Sequence, residues 1–372
     1  MAGSTIGTLF AVTTWGESHG TATGVVIDGC PAGLSLTEAD IMPYLRWRRP
    51  GQSDIVTPRD EDDEVTILSG VFQGQTTGTP ISLLIENKSA NSEEYTEDGD
   101  FFRPGHADYS YQAKYGWRDY RGGGRASGRE TVARVAAGAI AAKVLLAAGV
   151  EVLAFTRGIG AVVTKTSDFS RDDVYSRKTR MPCNEADREA ELLIKECIAK
   201  GDSVGGVIEC RIKGVPPGWG EPVFQKLDAR LAQAMMSIGA VKAVEIGDGM
   251  GCGNKFGSNY NDGYLRINKN GIAEKLSNHG GGISGGISDG SDIILRVHIK
   301  PTPSIAAPQE TIDRLGQQKT IALKGRHDPC IVPRAVVVVE MMAALVLVDM
   351  MLMGLGSRIE NIARIHTHLS NP

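Results

Sequence analysis

The chain has 372 residues, 41% hydrophobic and 23% charged, which is the mix of a soluble globular protein with length for a sizeable core. Forty Lys and Arg stand against 44 Asp and Glu, so nothing overall calls for nucleic acid or an anionic membrane as partner, and any anion site must come from local clustering. Six cysteines without a C-x-x-C pair predict no zinc site and no disulfide framework, and fit reduced thiols in the cytoplasm.

In chain order, Met1 to Trp15 carries no Lys or Arg and no long apolar run before a cleavage site, which predicts no secretory leader. Gly24-Val25-Val26-Ile27 reads as a short strand and Thr37 to Arg49 as a helix. An alternating strand follows at Ile81 to Ile85, then a long apolar helix from Ser127 to Ala148. Ser127 and Glu130 have capping-box spacing at its start, and Gly149 supplies a left-handed stop. The later chain repeats this order loosely. It has a strand at Gly206 to Glu209, a helix from Glu221 to Met236, a strand at Ile293 to Ile299 and a long apolar helix from Arg334 to Met353. The order suggests two related halves, approximately 1–165 and 200–372, with a boundary in the polar stretch Thr164 to Asp202. The apolar run Ala335 to Leu355 is broken by Glu340 and Asp349, which argues for a buried helix rather than a membrane span. Both long helices are apolar on nearly every face, so layers of sheet are their natural cover.

Charge and glycine mark the chemistry. From Arg103 to Arg134 there are seven basic and three acidic residues in a chain that is negative overall. Arg125 and Arg129 bracket the start of the long helix behind Gly122-Gly123-Gly124. Helix amides and two guanidiniums together make a phosphate site, with a solvated basic face as the alternative. Arg46 to Arg49 forms a second basic group at a helix end, where cations are favourable for structural reasons alone. His19 in GESHG and His106 in RPGHADY sit in glycine-bracketed loops beside charges. That setting suits a general acid, or equally a structural hydrogen-bonder. Gly325 to Cys330 (GRHDPC) sets an Arg and an Asp two residues apart, able to serve one ligand or to pair locally.

Read together, GESHG, RPGHADY, Arg121 to Thr131 (RGGGRASGRET), Asn278 to Gly286 (NHGGGISGG) and GRHDPC resemble, in this order, the blocks of chorismate synthases. Val241 to Gly249 and Lys300 to Ser304 are similar to two further blocks. The resemblance implies an α+β fold, a β-α-β sandwich with a central helical layer between two antiparallel sheets, usually a homotetramer. It implies loss of phosphate from 5-enolpyruvylshikimate 3-phosphate by anti-1,4 elimination to give chorismate, with reduced FMN required and no net redox change. His19 would protonate the departing phosphate, His106 the reduced flavin, and Asp328 would take the ring proton. Arg48, Arg103 and Arg129 would hold the substrate's anionic groups. FMN would lie against Arg125, Ala126, Ser127, Gly239, Ala240, Gly285, Lys300, Pro301, Thr302, Pro303, Ser304 and Arg326.

Two positions depart from the pattern. Asp54 stands where many relatives have arginine, a contact that Arg49 or Arg59 would have to replace. Gly239 stands where many have asparagine, leaving only a backbone contact. No flavin-reductase domain is recognisable, so an external reductant is expected, with NADPH-driven self-reduction left open. The rival readings are a flavin-dependent oxidoreductase acting on an anionic metabolite and a binding module without catalysis.

Overall fold

The structure, a computed structural model, describes residues 3–56, 62–88, 101–323 and 328–369. Thr5–Ile6 (β1), Ala11–Trp15 (β2), Ala22–Asp28 (β3) and Val65–Ile67 (β4) belong to a first sheet, with Glu38–Arg48 (α1) between β3 and β4. After the small hairpin Val71–Phe72 (β5) and Gln75–Thr76 (β6), Ile81–Glu86 (β7) completes the order β1-β2-β3-β7-β4, antiparallel throughout. Asp108–Tyr115 (α2) and Thr131–Ala147 (α3) follow.

The second sheet takes Glu151–Ile159 (β8), Val162–Val163 (β9), Gly206–Lys213 (β10) and Val241–Ile246 (β11). Arg171–Tyr175 (α4), Asn184–Lys200 (α5) and Leu227–Met236 (α6) are interspersed. Gly257–Tyr260 (α7) comes next, then the hairpins Tyr264–Ile267 (β12) with Ala273–Lys275 (β13) and Ile283–Ser284 (β14) with Ile287–Ser288 (β15). Ile293–Ile299 (β16) gives the sheet its antiparallel order β11-β16-β10-β8-β9. Along β16 the residues Ile293, Leu295, Val297 and Ile299 are buried, the period of two expected of a strand with one face on the core. A last hairpin, Gln309–Ile312 (β17) and Gln318–Ile321 (β18), precedes Val332–Gly354 (α8) and Ile359–Leu369 (α9).

The core sits around α3 and α8. α3 packs on β2, β3 and β7 of the first sheet, α8 on β8 and β10 of the second, and the two helices on each other. Their crossing is tight because α3 is small-sided: a Cβ on Gly138 would fall 2.3 Å from the Met341 Cβ. Each fully buried Ile or Leu in this core is worth about 1.5–3 kcal/mol relative to exposure. Among the described residues α8 alone is long and apolar enough to cross a membrane. Here nearly all of it from Val332 to Met350 is buried in protein, as the interrupting charges suggested. Those charges are satisfied from opposite sides. Asp349 accepts the N–H groups of Thr8, Leu9 and Phe10 beside β2, at 2.8–3.0 Å. Glu340 accepts from Ala154 N–H of β8 at 2.9 Å and from Tyr175 Oη at 3.1 Å, and pairs with Arg171.

Two local expectations need correction. Glu130 does not close a capping box with Ser127. Its carboxylate is taken by Arg134 at 2.9 Å and by Thr14 at 3.1 Å, and two single turns of tight helix, Gly124–Ala126 and Gly128–Glu130, precede α3. α6 begins at Leu227 rather than near Glu221, because the N–H of Glu221 bonds to the carbonyl of Gln225 and closes a turn. Within the polar stretch 164–202, α5 buries Ala186, Ala190 and Ile194.

Candidate active site

His19 lies in the loop joining β2 to β3. That loop is held by Asn87, whose amide donates to the carbonyls of Glu17 at 2.9 Å and Gly20 at 2.8 Å. His106 lies just ahead of α2, in a segment placed by pairing of Phe102 with Ile312 of β17. The two loops meet on the triple glycine. A Cβ on Gly122, at φ 60°, would fall 2.6 Å from His19 Nε2; one on Gly123, at φ 97°, would fall 2.8 Å from His106 Cε1. The left-handed backbone and the missing side chains therefore seat both imidazoles against consecutive residues.

His106 is oriented by Asp108. Its Nδ1 lies 2.8 Å from the Asp108 Oδ1, which assigns the proton there and turns Nε2 toward Gly123. Arg103 holds the same carboxylate in a two-pronged grip, Nε to Oδ2 at 2.7 Å and Nη2 to Oδ1 at 2.8 Å, and Arg118 stands 3.4 Å away. Burial by itself would raise the Asp108 pKa, but the hydrogen bonds from Arg103 and His106 outweigh it and hold the carboxyl far below its usual range. Lys300, just past β16, donates to the Gly105 carbonyl next to His106, and its backbone N–H bonds to Ala240 at 3.0 Å. Burial, then the neighbouring Lys242, lowers the Lys300 pKa. Lys300, Pro303 and Ala240 are thus joined to the His106 loop.

Arg48 and Arg129, both buried, share one carboxylate. Arg48 donates to Asp63 at 2.7 Å and to the Gly128 carbonyl at 3.1 Å. Arg129 pairs with the other Asp63 oxygen and donates to Asn87 Oδ1 at 2.8 Å and the Glu86 carbonyl at 3.1 Å. Asn87 therefore links Arg129 to the His19 loop. Burial lowers the Arg48 pKa to about 10 against the pull of Asp63, with Arg334 and Arg129 adding repulsion. At Asp63 burial raises the pKa, but Arg48 and Arg129 prevail and lower it. Asp328 pairs with Arg334, which in turn donates to the Arg48 carbonyl at 3.1 Å.

Arg125 and Arg129 do not form the expected joint clamp at the helix start. Arg125 turns back to β2, donating to Gly16 O at 3.1 Å and Thr14 Oγ1 at 2.8 Å, while Arg129 goes to Asp63. Ala126 and Ser127 form the turns beneath Gly123, and Ser127 Oγ accepts the Arg129 N–H. Gly285 lies in the β14–β15 turn; no hydrogen bond joins that turn to the histidine loops among the described residues. Asp54 faces away, bound to Lys178 at 2.7 Å and Lys195 at 3.0 Å, which lower its pKa to about 2. Arg59, Gly325, Arg326 and His327 lie outside the described residues. Asp63, Asn87, Asp108 and Arg334 were not singled out from sequence. Only Asp108 offered a signal, two positions after His106.

The chain that carries these loops has known relatives. The sequence pattern of chorismate synthase matches residues 10–352. A chorismate synthase of Lachnoclostridium phytofermentans is 55% identical over 98% of this chain and all of its own. One of Agathobacter rectalis is 52% identical over 99% of this chain and all of its own. A crystal structure of a chorismate synthase superposes with a TM-score of 0.77 at 33% identity, covering 98% of both chains. The match spans both sheets and every described residue of the cluster, and the chain belongs to the chorismate synthase family of lyases.

Proposed function

We propose that this protein eliminates phosphate from 5-enolpyruvylshikimate 3-phosphate in the anti-1,4 sense to give chorismate, with reduced FMN as a required cofactor and no net redox change. The observation that carries the reading is the seating of His19 and His106 on Gly122 and Gly123 with buried arginines around them. His19 gives a proton to the leaving phosphate. His106, whose Nδ1–H rests on Asp108, gives the second proton from Nε2 as an imidazolium, on the flavin side. Asp328, with Arg334 beside it, accepts the ring proton. Arg48, Arg103 and Arg129 offset the substrate's phosphate and carboxylates as charge moves onto the leaving group.

The residues expected around FMN fit such a group. Lys300 brings a cation, the Thr302 hydroxyl is buried without a partner among the described residues, and Gly239 and Gly285 open onto clear space. Arg125 to Ser127, Ala240, Pro301 to Ser304 and Arg326 complete the proposed set. Reduced FMN, when bound, supplies electron density as the phosphate departs. An external reductant, a cytoplasmic location and a homotetramer belong to the same proposal. So does a β-α-β sandwich of two related halves, supported by α3 on the first sheet and α8 on the second.

Anaerobic turnover with chemically reduced FMN tests this. Phosphate and chorismate should appear in equal amounts with the flavin still reduced at the end. Reductant consumed in proportion to product would mean hydride transfer, and the elimination reading would fall.

A further inference from the structure

Between the end of α1 and the start of α8 lies a cavity of about 330 Å³. Arg46, Arg49, Arg177, Lys178, Arg180 and Arg334 line it, and no Asp or Glu is among its described lining residues. Four of these cations have an acid outside the cavity: Arg49 has Asp62, Arg177 has Asp173, Lys178 has Asp54 and Glu191, and Arg334 has Asp328. Arg46 and Arg180 form no ion pair among the described residues, so the cavity keeps an excess of positive charge in a chain that is negative overall.

Arg180 is the sharper sign. It is 7% exposed and donates only to neutral oxygens, the carbonyls of Tyr175 and Arg177 and the side chain of Gln52. Its Nε is buried without a partner among the described residues. Burial lowers its pKa, only partly offset by Tyr175, whose ring it lies over at 5.3 Å, and by the more distant Asp187, and its backbone φ of 62° is costly as well. Trp47 and Tyr175, stacked with ring centroids 3.8 Å apart, form an apolar wall on one side.

We propose that this cavity binds a phosphate group, as inorganic phosphate or as the monoester of a small metabolite, separately from the arginines around Asp63. Donors converge from α1, from the 177–180 segment and from the start of α8. That spread suits a tetrahedral dianion with acceptors in every direction better than a planar carboxylate. The volume lies at the small end of ligand pockets, about 300–1,000 Å³, and leaves room for a short organic tail. Arg334 serves both the cavity and Asp328, so an occupant would share that cation with Asp328. The inference stands on the cavity alone and does not need the elimination reading.

Calorimetric titration with inorganic phosphate, and separately with glycerol 3-phosphate, tests it. In Arg129→Ala, which disables the other anion site, one binding event should persist. Adding Arg46→Gln or Arg177→Gln should weaken it about tenfold or more, as for a lost charged hydrogen bond. Arg46 is exposed, so Arg46→Gln should fold normally, and circular dichroism of that variant checks it. Tighter binding of the ester makes it the occupant, and equal or weaker binding makes it free phosphate. No event in Arg129→Ala, or an event that Arg46→Gln and Arg177→Gln both leave unchanged, overturns the proposal.

Discussion

Gly123 carries a geometric demand that can be tested alone. An added methyl would meet the His106 ring at 2.8 Å, on a backbone at φ 97° that other residues rarely adopt. Gly123→Ala should therefore keep the fold by circular dichroism while turnover falls about 10²-fold, the scale of a displaced proton donor. Near-normal turnover would refute the seating. Asp63 makes a second demand. Asp63→Asn leaves two buried guanidiniums facing each other, and the protein should lose about 3 kcal/mol in urea unfolding. The pH sign follows from the lowered Asp63 pKa: its contribution is complete above the unfolded carboxylate value of about 4 and fades as pH falls toward the depressed folded value. The acid limb of the stability curve should be flatter in Asp63→Asn, and an unchanged limb would deny Asp63 that role. His19, His106 and Asp328 stood out in the sequence as candidates because each stands in a compact block with its own glycines and charges. Asp63 did not. It sits in the acidic run Asp60 to Glu64, where nothing in the sequence sets it apart from its neighbours, and its partners are 15 and 66 positions away.

Elements were legible where periodicity is strong and less so at their ends. β16 falls on its expected residues and α8 within two, since strict alternation and a long apolar run with only two charges in it leave few alternatives. The start of α3 was misread because Ser127 and Glu130 have the right spacing for a cap, while other partners take the Glu130 carboxylate: Arg134 one turn further along the helix, and Thr14 of β2. The glycine inside α3 likewise acts through a distant element. Helix propensity favours alanine over glycine by about 1 kcal/mol. Gly138→Ala should nevertheless destabilise by about 1–3 kcal/mol, because the methyl would run into Met341 of α8. A raised urea midpoint in that variant would mean the two helices are not in such close contact.

At the scale of the molecule, the two carboxylates of α8 act on opposite sheets, Asp349 on the turn before β2 and Glu340 on β8. Burial raises the Glu340 pKa, opposed by Arg171, the Ala154 N–H and Tyr175. Arg171→Met should leave that carboxylate without its cation and cost about 3 kcal/mol, read as a lower urea midpoint. No shift would place Glu340 outside the balance of forces. The sequence foretold a buried helix, but nothing local said which backbone each acid would find. The bond from Thr8 to Asp349 spans 341 positions. A ribosome making this chain therefore releases the first sheet long before the helix that completes its core has been translated. The nascent protein must leave the α8-facing side of α3 uncovered while residues 148 to 354 are made, which exposes the growing chain, and any truncation ahead of Val332, to aggregation.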